Sequence, residues 1–274
     1  MYKLVNLNQF ALKGINSDLI PWDLDGSYLT EISNVRIANN QIYPNGGYST
    51  WATLPIDFVP GMIMPVGSIS GSFWMIPGLD AVYVYDGTIL SDVSNPAGYA
   101  GVTDADLWTG CMLSRIPVIN NPGSFPEYWS PQQAGILMQD LPWDAGQTWR
   151  DVGEICRIMR SHKQYLFALN LQSGAQEIPD GVRWSSPADI NGLPETWDPL
   201  DVTNYAGLTQ LGGDGGDIVD GLSLRDAFVV YREGAISIFD FVGGPFVWRI
   251  RHMSQSAGLV AIESLATRPA DCDM

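Results

Sequence analysis

Apolar and polar positions along this chain fall into short runs, and turn-forming residues recur between the runs about every ten positions. Asn-Gly-Gly at Asn45, Pro-Gly at Pro77, Asp-Gly at Asp86, Asn-Pro-Gly at Asn121, Ser-Gly at Ser173, Glu-Gly at Glu233 and Gly-Gly at Gly243 punctuate the sequence. Between them lie β-branched and aromatic stretches too short for helices, the pattern of a sandwich, barrel or propeller. Three stretches repeat one plan. Residues 73–90, "FWMIPGLDAVYVYDGTIL", read as strand, tight turn, strand, Asp-Gly turn and strand, the Asp-Gly being the strongest hairpin signal in the chain. Residues 164–186 repeat the plan with a longer connection. Residues 226–241, "DAFVVYREGAISIFDF", repeat it again, Tyr231 and Phe239 alternating with small or polar neighbours.

Each module starts on a fully apolar strand and passes to an alternating one. That order predicts an inner strand buried on both faces followed by a half-solvated one, as in the blades of a β-propeller. The fold class expected is therefore all-β and β-propeller-like, with blades over residues 51–274 and an extended N-terminal arm over residues 1–50. An irregular sandwich is the alternative architecture. Helical signal is thin: residues 30–39 suit one short turn, and residues 149–162 show approximate helical spacing at Val152, Ile155, Cys156 and Met159. The alternation within "ICRIMR" favours a strand there.

Composition supports the β reading, since 29 Gly, 18 Pro, 10 Trp and 11 Tyr leave little of the Ala/Leu/Glu/Lys vocabulary of long helices. Charge bears on partners. The chain has 30 acidic residues against 14 Lys plus Arg, a formal net charge of −16, and so lacks a basic footprint for gripping phosphates. Cys111, Cys156 and Cys272 are odd in number and form no CxxC, which suggests neither a disulfide framework nor a cysteine zinc site, and favours folding in a reducing cytoplasm. The sequence contains neither an apolar run of membrane-helix length nor a signal-peptide core, so a soluble, unexported chain is expected.

Candidate chemistry is sparse. His162 and His252 sit beside basic residues and belong to no HExxH or nucleophile motif, so both are expected to be exposed and structural. "GSISG" at Gly67 misplaces the serine of a GxSxG elbow. "GGDGGDIVD", residues 212–220, fits one copy of the calcium nonapeptide, but calcium needs oxygens that stacked copies supply jointly. It is read as a flexible turn between modules, and no metal or other cofactor is expected. "VRWSSPADINGLPETW", residues 182–197, places Ser186, Asp189, Gly192 and Trp197 in the order of the Asp-box turn of sialidase-like propellers, with extra residues between them. There Asp189 is expected to cap the turn while Trp184 and Trp197 pack it. Choosing an acid/base pair among 30 carboxylates would be arbitrary.

The ordered succession "GINSDLIPWDL", "SNVRI", "LWTGCMLSRIPVINNPGSFPEYW", "LFALNL", "GVRWSSPADINGLPETWDP" and "LRDAFVVYREGAISIFDFVGGPFVWRIRHMSQSAGLVAIESL" resembles the tail nozzle proteins of short-tailed bacteriophages, over residues 14–265. These are also called tail tubular protein B or packaged-DNA stabilisation protein. The resemblance implies propeller-like blades, a six-fold ring below the portal and adaptor, a virion-tail location after assembly in the host cytoplasm, and a conduit for DNA without covalent chemistry. An acidic lining would let DNA slide past. Nozzle chains generally continue beyond the "SAGLVAIESL" region, so this sequence is expected to be either a shortened relative that closes its ring with a neighbour's help or a piece of a longer chain, an incomplete propeller with strand edges offered to partners. Leu19, Ile20 and Trp22 in the arm, and Tyr128 and Trp129 in "NNPGSFPEYW", are the expected contacts with other tail chains. Two alternatives stay open: a sialidase-like glycosidase, and a carbohydrate-binding propeller with Trp51, Trp74 or Trp143 as stacking platforms.

Overall fold

The computed structural model describes residues 13–31, 33–38, 41–44, 46–47, 54, 56, 58–68, 70–130, 136–188, 192–200, 203–244 and 246–262. The chain divides into two compact units, Met1–Leu54 and Pro55–Met274. The first holds a short 3-10 turn, Pro21–Asp23, and the hairpin β1 (Val35–Ala38) with β2 (Gln41–Pro44). Residues 35–38, within the stretch expected to make one helical turn, are therefore strand. Val35, Arg36 and Ile37 pair with Pro44, Tyr43 and Ile42 as strand, because β-branched residues suit a pleated backbone better than a single helical turn with no tertiary support.

The second unit is built from four four-stranded antiparallel sheets laid out in chain order, each a simple meander. The first is β3 (Met64–Ser68), β4 (Gly71–Pro77), β5 (Val82–Tyr85) and β6 (Leu90–Asp92). The second is β7 (Thr109–Leu113), β8 (Ile116–Asn120), β9 (Glu127–Tyr128) and β10 (Gln139–Asp140). After a small hairpin of β11 (Pro142–Asp144) and β12 (Gln147–Thr148), and one helical turn, α1 (Trp149–Val152), come β13 (Glu154–His162), β14 (Tyr165–Ser173), β15 (Gln176–Trp184) and β16 (Gly207–Gln210). The fourth is β17 (Ile218–Leu224), β18 (Ala227–Arg232), β19 (Ile236–Phe241) and β20 (Trp248–Ser254). The fold is all-β and β-propeller-like.

Residues 149–162 split between both readings of that stretch. Thr148 and Asp151 form a reciprocal capping box around α1, and Gly153 ends it in the left-handed conformation at φ 72°. The strand β13 follows at once. The apolar runs read as first strands, in β4, β14 and β18, are second strands. The inner strands β3, β13 and β17 precede them, with fewer apolar residues.

Packing is sequential. Met64, Met75, Val84, Trp108, Ile119 and Trp129 form the core between sheets one and two. Leu113, Val118, Trp149, Met159, Leu166 and Trp197 form the next. Ile158, Phe167, Leu169, Phe228, Phe239 and Trp248 form the third, where Phe167 stacks on Phe228 at 4.2 Å between ring centroids. Among the described residues no core cluster joins the fourth sheet to the first.

The second sheet has no counterpart among the modules read from the sequence. Its central hairpin turns through Ser114 and Arg115, both at positive φ (47° and 72°). A two-residue turn of this hand normally uses Asn-Gly or a similar pair.

Candidate functional site

Four clusters built on buried charged side chains stand out in the second unit. In the first, Glu127 on β9 is 0% exposed. Its carboxylate accepts from the Tyr99 hydroxyl at 2.9 Å and from Asn95 Nδ2 at 2.9 Å. The same Asn95 nitrogen donates to Asp140 Oδ1 at 2.9 Å, and Arg150 grips Asp140 bidentately at 2.7 and 2.9 Å while standing 3.8 Å from Glu127. Burial pushes the Glu127 carboxyl up to about 7, and the nearby Asp140 carboxylate pushes the same way. The Tyr99 and Asn95 hydrogen bonds and the Arg150 charge pull it down. Both Glu127 oxygens already have donors and the side chain meets no solvent, so a glycosidic bond has no path to it.

Arg160 on β13 donates from Nε and Nη2 to Asp220 on β17, at 2.9 and 3.0 Å, and from Nη1 to the Gly110 carbonyl on β7. One guanidinium thus bridges three inner strands. Arg183 on β15 pairs with Glu154 on β13 at 3.0 Å, lies over the Trp143 ring and donates to the Trp197 carbonyl.

The fourth cluster is the glycine-rich loop of "GGDGGDIVD". The loop curls around Arg232 of β18, whose Nε, Nη1 and Nη2 donate to the carbonyls of Gly216, Gly212 and Gly213 at 2.8, 2.5 and 3.3 Å. Gly212, Gly213 and Gly216 all take positive φ, which turns their carbonyls inward at no steric cost. A buried arginine side chain thus holds the carbonyls that a cation would need. Among the described residues, no group of three His, Cys, Asp or Glu side chains is placed to hold a metal.

His162 is buried rather than exposed. Its ring nitrogens lie 2.8 Å from Ser223 Oγ and 3.3 Å from the Asp226 carbonyl, and burial holds its pKa below the usual histidine value. Sheet four packs over the end of β13 and so covers it. His252 is exposed, with Nδ1 3.1 Å from Ser237 Oγ. Cys111 and Cys156 are free thiols; Cys272 lies outside the described residues.

Trp184 and Trp197 do not share a pocket. Trp197 is fully buried between sheets two and three, edge-on to Trp149, which is edge-on to Trp143, with both centroid distances 4.9 Å. Trp184 turns toward sheet four, meets Phe239, and donates from its indole to the Tyr205 carbonyl. Its ring lies flat enough on Gly207 that an added Cβ there would come within 2.1 Å of it. Ser186 Oγ caps the intervening turn by accepting from the Glu195 and Thr196 amides. Asp189 lies outside the described residues.

Of the expected contact residues, Leu19, Ile20 and Trp22 are exposed, Trp22 to 82%. Tyr128 is half-buried and its hydroxyl contacts Gln139. Trp129 is buried in the first core, edge-on to Phe73 and donating to the Ile136 carbonyl, so it is not open to a partner. Trp143 is likewise buried, Trp74 is partly exposed, and Trp51 lies outside the described residues. A surface cleft of 310 Å³ is lined by Arg157, Asn170, Gln172, Glu177 and Asp217 among others, with both signs of charge. No helix of the described residues is long and apolar enough to cross a membrane.

No family model and no curated protein matches the chain. Among solved structures it is similar to that of YCF48 bound to D1 peptide, at 14% identity and a TM-score of 0.42, over 78% of this chain. The matched region spans 56% of the length of that structure's chain.

Proposed function

We propose that this chain is a structural subunit of the tail nozzle of a short-tailed bacteriophage, part of a six-fold ring below the portal and adaptor that retains packaged DNA and conducts it during ejection. The reading rests first on the ordered resemblance over residues 14–265. One structural observation supports it most directly. The sheets pack in linear succession; the first keeps Trp74 exposed, with Ile63 exposed just before its first strand, and the fourth keeps Leu224 and Met253 exposed. Exposed apolar side chains of this kind suit contacts with neighbouring subunits. The net charge of −16 suits a conduit, since phosphate is repelled and DNA is not held back by counterion release.

The test is native mass with negative-stain imaging of the purified chain, alone and mixed with the portal and adaptor proteins of the same phage. Six-fold rings, or incorporation into a portal–adaptor stack, are expected. A monomer that ignores both partners overturns the reading.

A further inference from the structure

The charges of the second unit are segregated along the chain. From residue 55 to residue 114, through the whole first sheet, the sequence contains six aspartates and no lysine, arginine or glutamate. From residue 241 to residue 262, through the outermost strand of the last sheet, it contains Arg249, Arg251 and His252 and no carboxylate. In a chain with about twice as many acidic as basic residues, a stretch free of carboxylates stands apart.

The fold brings each stretch to the surface. On β20, Arg249 and Arg251 project from one face, both toward Asp240 of β19, at 3.3 and 2.7 Å. The two guanidinium groups share that single carboxylate, so the trio keeps a net positive charge, and they remain 69% and 56% exposed. A bulge between the pairs Ile236↔Ser254 and Ser237↔His252 leaves Met253 unpaired, and it stands 68% exposed. Phe246, in the loop entering β20, is 82% exposed. The basic groups thus sit among exposed apolar ones.

On the first sheet, Asp80 in the turn between β4 and β5 and Asp92 on β6 are exposed at the same end of the sheet, because Tyr83 at the start of β5 pairs with Asp92. Leu79 and Trp74 are exposed nearby along β4 and its turn. This surface is acidic and apolar where the other is basic and apolar.

We propose that these two surfaces are the two halves of one contact between copies of this chain. The outer strand of the last sheet of one copy seats on the first sheet of the next, with Arg249 and Arg251 facing Asp80 and Asp92. The inference rests on the ring reading above and deepens it by naming the contact. Because the two halves differ, the contact is head-to-tail. Repetition then closes a ring or runs on as a filament, and cannot stop at a two-fold dimer. The opposed charges fix which surface meets which, while the apolar side chains between them leave water.

The experiment uses two charge-swapped chains. One carries Arg249→Glu and Arg251→Glu; the other carries Asp80→Arg and Asp92→Arg, the two carboxylates of the acidic half, of which Asp92 also accepts from the Ser94 amide and hydroxyl. Native mass is read for the parent chain, each variant alone and the two variants mixed. The parent is expected to form rings. Each variant alone is expected at single-chain mass, because its two halves then carry like charge. The mixture is expected to regain ring mass, since both junctions in it are again opposite in charge. A misfolded variant could not rescue the other, so recovery separates loss of contact from loss of fold. Rings formed by either variant alone, or no recovery on mixing, overturn the proposed contact and leave the ring reading standing. A parent chain that never leaves single-chain mass, alone or with portal and adaptor, overturns both.

Discussion

The Glu127 cluster makes a quantitative claim about pH. In the unfolded chain this carboxyl titrates at about 4.5, and in the folded protein burial raises it to about 7. Between those values the folded protein holds a proton that the unfolded chain has released, so stability falls as pH rises, and above about 7 the loss is complete. At about 1.4 kcal/mol for each tenfold change in proton affinity, the loss amounts to about 3 kcal/mol. Glu127→Gln removes the titration while keeping an amide oxygen as acceptor for one of the two donors, Tyr99 and Asn95. Urea unfolding of parent and variant should therefore give similar stabilities at pH 5, and a variant more stable by about 3 kcal/mol at pH 8. Comparing the two proteins cancels the other titrating groups. A difference that stays flat from pH 5 to pH 8 would show that Arg150, 3.8 Å away, and the Tyr99 and Asn95 donors keep the carboxylate ionised despite its burial.

Arg183→Ala leaves Glu154 buried without its partner and should cost about 3–5 kcal/mol, measured as a lower urea midpoint with unchanged slope. Replacing Ser114-Arg115 by Asn-Gly relieves two side chains held at positive φ and should stabilise the protein by about 1 kcal/mol in the same assay; a loss of stability would mean that the parent turn is not strained. Gly207→Ala drives a methyl group into the Trp184 ring and should cost about 1–3 kcal/mol, with a change in tryptophan fluorescence that reports the displaced indole.

These sites also show how far sequence reading reaches. The Asp-Gly turn at Asp86 was legible because its chemistry is local: the Asp86 carboxylate accepts from the Thr88 and Ile89 amides. The second sheet was not, because its turn uses Ser114 and Arg115, which carry no such signal, and its outer strands are two residues long. The inner strands were misplaced for a related reason. β3 and β17, "MPVGS" and "IVDGLSL", carry Pro, Gly, Ser and Asp, and their burial comes from neighbouring sheets rather than from their own pattern. His162 was expected to be exposed because Lys163 follows it, and nothing local announces that Ser223 and Asp226 will cover it. The Glu127 cluster joins residues 28, 32 and 45 positions apart in its hydrogen bonds, beyond the reach of any spacing rule.

The arginine inside the glycine-rich loop has a consequence for how the loop responds to its surroundings. A metal held by the same carbonyls would be in exchange with solution, and its occupancy would follow free concentration. Arg232 is fixed on β18 of the same chain, so its effective concentration at the loop is set by the chain and cannot be diluted or chelated away. The loop at the junction between the third and fourth sheets is thereby held by a group that a chelator does not remove.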